Sequence, residues 1–124
     1  MIKLHHLNKS RSKRIIWLLE ELSVEYQVVP YQRDSKTRRA PDSLKAINPL
    51  GKSPVIQDGE LVLSESGAIV DYLVSRYGTK SLAPAIHTPA HARYIPWLHL
   101  AAGTAAYQLI TRYMMGTVAD LTHV

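Results

Sequence analysis

A proline stands at the threshold of the most strand-like run in this chain. In Asn48-Pro49-Leu50-Gly51-Lys52-Ser53-Pro54-Val55-Ile56-Gln57 a turn-forming segment leads straight into apolar residues, and Asp58-Gly59 separates these from Glu60-Leu61-Val62-Leu63. Proline has no amide to donate, so Pro54 belongs at the first position of a strand or on a sheet edge. The spacing predicts strands over 53–57 and 60–63, joined by a hairpin at Asp58-Gly59. Ser64 is then placed to cap a helix running to Tyr77, with Ile69, Val70, Leu73, Val74 and Tyr77 on one face and Gly78 at the C′ position. Were the Ser53–Pro54 bond cis, a minority state that needs a structural reason, the backbone of Ser53 would turn outward, free to pair with a ligand. Glu65 and Ser66 lie at the helix start, where unpaired N–H groups and the helix dipole favour an anion. One peptide-like ligand could use both features.

The chain ahead of this stretch supplies the rest of a sheet. Ile2 to Leu7 reads as a strand, and Asn8-Lys9-Ser10 as a loop in which Ser10 or Ser12 could cap a helix. From Arg11 to Ser23, Ile15, Leu18, Leu19 and Leu22 recur at helical spacing. Arg11, Lys13 and Arg14 come early in that helix and Glu20 and Glu21 late, the wrong polarity for the macrodipole unless an anion approaches the N-terminus. Tyr26 to Tyr31 predicts an edge strand, because of Pro30. Gln32 to Arg39 is a basic loop and Pro41 to Ile47 a helical turn. Past Gly78, residues 79–87 read as an irregular linker. Thr88-Pro89 opens a last helix with Thr as N-cap and Pro at N1. It carries Tyr94, Trp97, Leu98, Ala101, Ala105 and Leu109 along one face, with an irregularity expected at Pro96.

Composition narrows the chemistry. The 124 residues contain no cysteine, which excludes disulfides, thiolate metal sites and a redox cysteine pair, so any sulfur nucleophile must arrive with a substrate. The formal net charge of +5 favours anionic partners. No apolar run predicts a membrane span, and the start Met1-Ile2-Lys3-Leu4-His5-His6 lacks the apolar run of a signal peptide, so a cytoplasmic location is the default expectation. The basic loop has no interleaved aromatics and reads as a solvated rim rather than a nucleic-acid patch. His87 and His91 are spaced i, i+4, with His99 beyond, but no carboxylate or thiol completes a metal set.

These residues together are specific enough to resemble a family. His6-Leu7-Asn8-Lys9-Ser10-Arg11-Ser12 leading into Trp17-Leu18-Leu19-Glu20-Glu21, then Asn48 to Val55, then Ser64-Glu65-Ser66-Gly67-Ala68-Ile69 leading into Tyr72-Leu73, look like the N-terminal part of a bacterial-type glutathione S-transferase. The resemblance implies an α/β, thioredoxin-like β-α-β-α-β-β-α domain with a mixed four-stranded sheet over residues 1–78. After the linker, residues 88–124 would begin a truncated all-helical domain. It implies glutathione as co-substrate, no metal, transfer to a small hydrophobic electrophile or peroxide reduction, and a homodimer in the complete protein. Pro54 would be the family's cis-proline, and the backbone of Ser53 would pair with the cysteinyl residue of glutathione. Ser66 and Glu65 would hold the γ-glutamyl end, and Lys52 and Arg39 the glycine carboxylate. Ser10 would stabilise the thiolate, with Asn8 and Ser12 as rival donors from the same loop. Tyr94 and Tyr107 would line an electrophile pocket.

The chemistry stands without the name. A free thiol of pKa about 8.5 is only a few per cent thiolate at neutral pH. A hydroxyl donor, a helix N-terminus and nearby cations favour the anion; a shift of roughly one to two units corresponds to about 1.4–2.7 kcal/mol. Each residue also has an ordinary reading: Ser10 as an N-cap, Glu65 and Ser66 as first-turn residues, Lys52 as a solvated loop charge, Trp17, Trp97 and the tyrosines as core or interface. Two departures from the family pattern are visible. Ser53 stands where most members carry an aliphatic residue, and the helical portion is cut to about one helix. The second departure admits a rival in which the chain binds glutathione without turning it over.

Overall fold

The computed structural model describes residues 1–78 and 82–121, with side chains of the last helix described as far as 116. Residues 79–81 of the expected linker lie outside the described residues. Two compact units divide near residue 82.

The first unit runs β1 (Ile2–Leu7), α1 (Lys13–Glu21), β2 (Tyr26–Tyr31), α2 (Asp42–Lys45), β3 (Val55–Asp58), β4 (Leu61–Ser64) and α3 (Ser66–Tyr77). This is the thioredoxin-like order expected from the sequence. The sheet order is β2-β1-β3-β4, parallel between β1 and β2 and antiparallel elsewhere. Pro30 sits on edge strand β2, opposite His6, where its missing amide costs no ladder bond on the open side.

Alternation sorts the strand residues by face. Ile2, Leu4 and Ile56 join Ile15 and Leu19 of α1 and Ile69 and Leu73 of α3 in one buried cluster. Both long helices of this unit therefore use that side of the sheet, their apolar residues recurring every three to four positions. Odd-numbered β1 residues point the other way, and there His5 is buried beside its partner Val55. His5 is fully hydrogen-bonded: Nδ1 meets Tyr31 Oη and Nε2 meets Gln57 Oε1, both at 2.9 Å. One imidazole thus pins three adjacent strands, and burial costs it nothing in lost partners.

Several boundaries differ from the sequence expectation. Ser64 caps no helix; it ends β4 opposite Val55, and Glu65 takes the N-cap position without a side-chain cap bond. The hairpin's two central residues are Gly59 and Glu60, since Asp58 pairs with Leu61. Gly59 has φ +60°, the backbone that a two-residue turn reserves for glycine at its first central position. The helix expected from Arg11 begins at Lys13, and neither Ser10 nor Ser12 caps it: Ser12 holds the N-cap place but makes no cap bond. Gly78 is not left-handed (φ −74°). It is needed for close approach, because a Cβ there would lie 2.2 Å from the carbonyl oxygen of Val74.

The second unit is one helical run: α4 (Pro89–His99), a π-helical turn over Leu100–Thr104, and α5 (Ala105–Leu121). Thr88 caps α4, its hydroxyl accepting the His91 amide at 3.1 Å, with Pro89 at N1 as expected. The backbone irregularity falls at the π turn, one turn beyond Pro96. Trp97, Tyr107 and Leu109 are exposed, whereas Tyr94, Leu98, Ala102, Ala105 and Ala106 are half-buried. The sheltered stripe is therefore rotated from the expected one. Trp17, expected in the core or an interface, is 69% exposed, its indole donating to Glu21 at 3.0 Å. No helix among the described residues is long and apolar enough to cross a membrane.

Candidate functional site

Strand register gathers the sequence-derived residues at one end of the sheet. His5 pairs with Val55 and Val55 with Ser64. The C-terminal end of β1, the start of β3 and the end of β4 are therefore neighbours. Pro54 and Glu65 each lie one residue outside the β3–β4 ladder, and the Asn8–Ser12 loop leaves β1 at the same end. Leu7 pairs with Tyr31, so the loop carrying Arg39 starts there too.

The Ser53–Pro54 peptide bond is cis. Ser53 lies just beyond the β1–β3 ladder, and its side chain makes the rung its backbone does not. The hydroxyl donates to the His5 carbonyl at 2.7 Å and accepts the Leu7 amide at 3.1 Å. No hydrogen bond to the main-chain amide or carbonyl of Ser53 occurs among the described residues. The preceding turn is held by Asn48, which is nearly buried. Its Nδ2 donates to the Lys52 carbonyl at 3.1 Å and its Oδ1 accepts the Leu50 amide at 3.3 Å. Gly51 completes the turn at φ +62°. A short polar side chain bonding two residues ahead is a recurrent turn device, and here it fixes the approach to Pro54.

The three candidate donors of the β1–α1 loop separate by environment. Ser12 is fully buried, 2.5 Å from His6 Nδ1 and 2.8 Å from Ser10 Oγ. The Asn8 side-chain oxygen accepts the Arg33 amide at 2.8 Å. Ser10 is half-buried and its Oγ stands 3.4 Å from Ser53 Oγ. His6, Ser12, Ser10 and Ser53 thus form one hydrogen-bonded chain. His6 was not singled out from the sequence, because a histidine near a strand end carries no signal by itself. Arg33, expected in a solvated rim, instead donates from its guanidinium to the carbonyls of Asn8 (3.1 Å), Arg38 (3.2 Å) and Lys9 (3.5 Å) and ties two loops together.

At the other side of Pro54, Glu65 is exposed with φ +73° and ψ 115°. Such backbone is uncommon outside glycine and costs on the order of 1–3 kcal/mol. Ser66 is buried in the first turn of the 12-residue α3, which carries no acidic side chain there. Its hydroxyl makes no hydrogen bond among the described residues, and the helix amides beside it point toward the same end of the sheet. Lys52 and Arg39 are exposed, and neither forms an ion pair among the described residues. Tyr94 and Tyr107 belong to the second unit: the Tyr94 ring lies 5.8 Å from that of His91, and Tyr107 is 70% exposed.

Known proteins carry the same pattern. The profile of the glutathione S-transferase N-terminal domain matches residues 1–75. Glutathione S-transferase 3 of Schizosaccharomyces pombe is 44% identical over 100 residues, 80% of this chain and 40% of its own. The crystal structure of a glutathione S-transferase from Actinobacillus pleuropneumoniae superposes with a TM-score of 0.80 at 46% identity, covering 89% of this chain and 52% of that one. A glutathione transferase homologue from Lodderomyces elongisporus, crystallised with two glutathione molecules per subunit, gives a TM-score of 0.67 at 30% identity over 80% of this chain and 49% of its own. The chain spans between two fifths and about half the length of these relatives. With the profile covering more than half of its residues and the sheet, the helices and the cis-proline in place, the chain belongs to the glutathione S-transferase family through its N-terminal domain.

Proposed function

We propose that this chain binds glutathione across the end of its sheet and, with Ser10, presents the tripeptide's thiolate to a hydrophobic electrophile or a peroxide. The observation that carries the proposal is the placement of the Ser10 hydroxyl 3.4 Å from that of Ser53, beside a main-chain segment with unused amide and carbonyl groups. The cysteinyl backbone would pair there as a short added strand. The γ-glutamyl carboxylate would take the α3 N-terminus and Ser66, and its ammonium Glu65. Lys52 and Arg39 would meet the glycine carboxylate. Ser10 is favoured over Asn8 and Ser12 because it is the half-exposed hydroxyl, while Ser12 is buried and Asn8 is engaged by Arg33. Tyr94 and Tyr107 are kept as proposed electrophile contacts. Residues 1–78 would be the glutathione-binding domain and 88–124 the opening of an all-helical domain, in a cytoplasmic, detoxifying, homodimeric protein. The Actinobacillus likeness supports a bacterial-type member, and the similar identity to the S. pombe relative shows the pattern is shared by fungi.

A second reading has its own observation: every proposed glutathione contact lies in the first unit, residues 1–82. On that reading it binds glutathione and catalyses nothing. Retention on immobilised glutathione is expected on both. Conjugation of an aromatic halide, lowered by about tenfold or more in Ser10→Ala with glutathione affinity largely kept, is expected only on the first. Retention without turnover would establish the binding module.

A further inference from the structure

The chain of hydroxyls behind Ser10 has only one direction that satisfies every link. A carbonyl can only accept, so Ser53 Oγ must donate to His5, 2.7 Å away. Ser53 Oγ then accepts twice, from the Leu7 amide at 3.1 Å and from Ser10 Oγ at 3.4 Å. Ser10 therefore spends its one proton toward Ser53 and must accept from its other neighbours: the Ser12 amide at 3.3 Å and the Ser12 hydroxyl at 2.8 Å. With its proton committed to Ser10, Ser12 Oγ has only acceptor capacity left for His6 Nδ1, 2.5 Å away. The imidazole must then carry hydrogen on Nδ1. The opposite tautomer would reverse the chain. Ser12 would donate to His6 and Ser10 to Ser12, and no proton would lie between Ser10 and Ser53.

From this geometry we propose that His6 and Ser12 are positioning residues that hold the Ser10 proton toward the ligand side of the site. The inference rests on the reading of Ser10 as the thiolate donor. The Ser10 proton makes the longest link of the chain, the one to Ser53, which is the easiest to exchange. When a sulfur anion arrives beside Ser53, the Ser10 O–H turns to it, while Ser12 goes on donating from behind. No proton is transferred along the chain; each hydroxyl keeps its own, and the thiol proton leaves to solvent. A hydroxyl that already accepts two hydrogen bonds is a more polarised donor. Ser12, buried and unable to touch substrate, thereby acts on a thiolate it never meets.

Two measurements on the whole chain test this. Nitrogen-15 NMR of the neutral His6 ring is expected to show hydrogen on Nδ1, the minor tautomer of a free histidine side chain; hydrogen on Nε2 alone overturns the proposal. The ultraviolet absorbance of bound glutathione against pH then gives its thiol pKa in Ser12→Ala, Ser10→Ala and the double variant. Ser12→Ala is expected to raise that pKa by roughly 0.5–1 unit, with glutathione affinity within about twofold, and to add nothing in the Ser10→Ala background. No shift in Ser12→Ala, or the same shift in both backgrounds, overturns the positioning role while leaving Ser10 in place. A thiol pKa unchanged in Ser10→Ala overturns instead the assignment of Ser10, and the functional half of this inference with it.

Discussion

Glu65 is where a single residue most visibly departs from comfort. Its backbone, φ +73° and ψ 115°, lies in a region that glycine adopts freely and glutamate only at a cost. Relief of that strain opposes the extra unfolded-state freedom of glycine, about 0.4–1 kcal/mol. Glu65→Gly is therefore expected to leave thermal stability unchanged or slightly raised and, on the proposed reading, to weaken glutathione binding by about tenfold, the value of one charged hydrogen bond. Calorimetric melting and titration read the two effects separately, and a variant losing both stability and affinity would point to a purely structural Glu65. Asn48 is the opposite case: it stood inside the motif that opened the sequence, yet no pattern announced that its side chain would bind the main chain at both Leu50 and Lys52.

Among elements, the β3–β4 hairpin and α3 are joined by one carboxylate. Tyr72 donates to Asp58 Oδ2 at 2.8 Å, and Tyr77 donates to the same oxygen. The Tyr77 bond first, then that of Tyr72, holds the Asp58 carboxyl below its usual 3.8, and Asp58 in turn raises both tyrosines. A depressed folded pKa adds stability that is present above the unfolded value and fades as pH falls through the folded one. Wild type is thus expected to be more stable than Asp58→Asn at pH 7, with the gap closing from about pH 4 downward in urea melts; a gap constant down to pH 2 would exclude the linkage. The hairpin was legible because Asp58-Gly59 is a strong local signal, and it slipped by one residue because Gly59, not Asp58, needs the left-handed position. The start of α1 was misplaced for a different reason. Ser10 and Ser12 spend their hydroxyls on each other, on His6 and on Ser53, the last 43 residues away in sequence, and periodicity along a helix cannot register a partner across the fold.

Across the molecule, the two units differ in how much they bury. Ile2, Leu4, Leu7, Ile15, Leu19, Leu44, Val55, Ile56, Ile69 and Leu73 are all essentially inaccessible, and all lie in the first unit. Neither α4 nor the π turn holds a buried residue, and Trp97, Tyr107, Leu109, Tyr113, Met114 and Met115 are each at least 61% exposed. A fragment of residues 1–82 is therefore expected to unfold in one cooperative transition and, on the proposed reading, to keep glutathione binding, as urea melts and titration would show. Loss of cooperativity on removing 83–124 would mean that the core depends on the helical run. The fold of the first unit was readable because strand alternation and helix spacing agree with one buried cluster. The sheltered side of the last helix was not, since its apolar residues nearly encircle it.

Ser53 has a last consequence for turnover. Its side chain makes the rung to β1, and its main-chain amide and carbonyl make no hydrogen bond among the described residues. On the proposed reading the site would grip the tripeptide by its peptide groups and its two charged ends, none of which changes when the sulfur acquires a substituent. The finished conjugate would therefore hold on nearly as well as glutathione itself, making departure of product a natural bottleneck. An S-alkyl glutathione is expected to compete with glutathione at comparable concentrations, and competition weaker by more than about a hundredfold would show that the sulfur, rather than the backbone, holds the ligand.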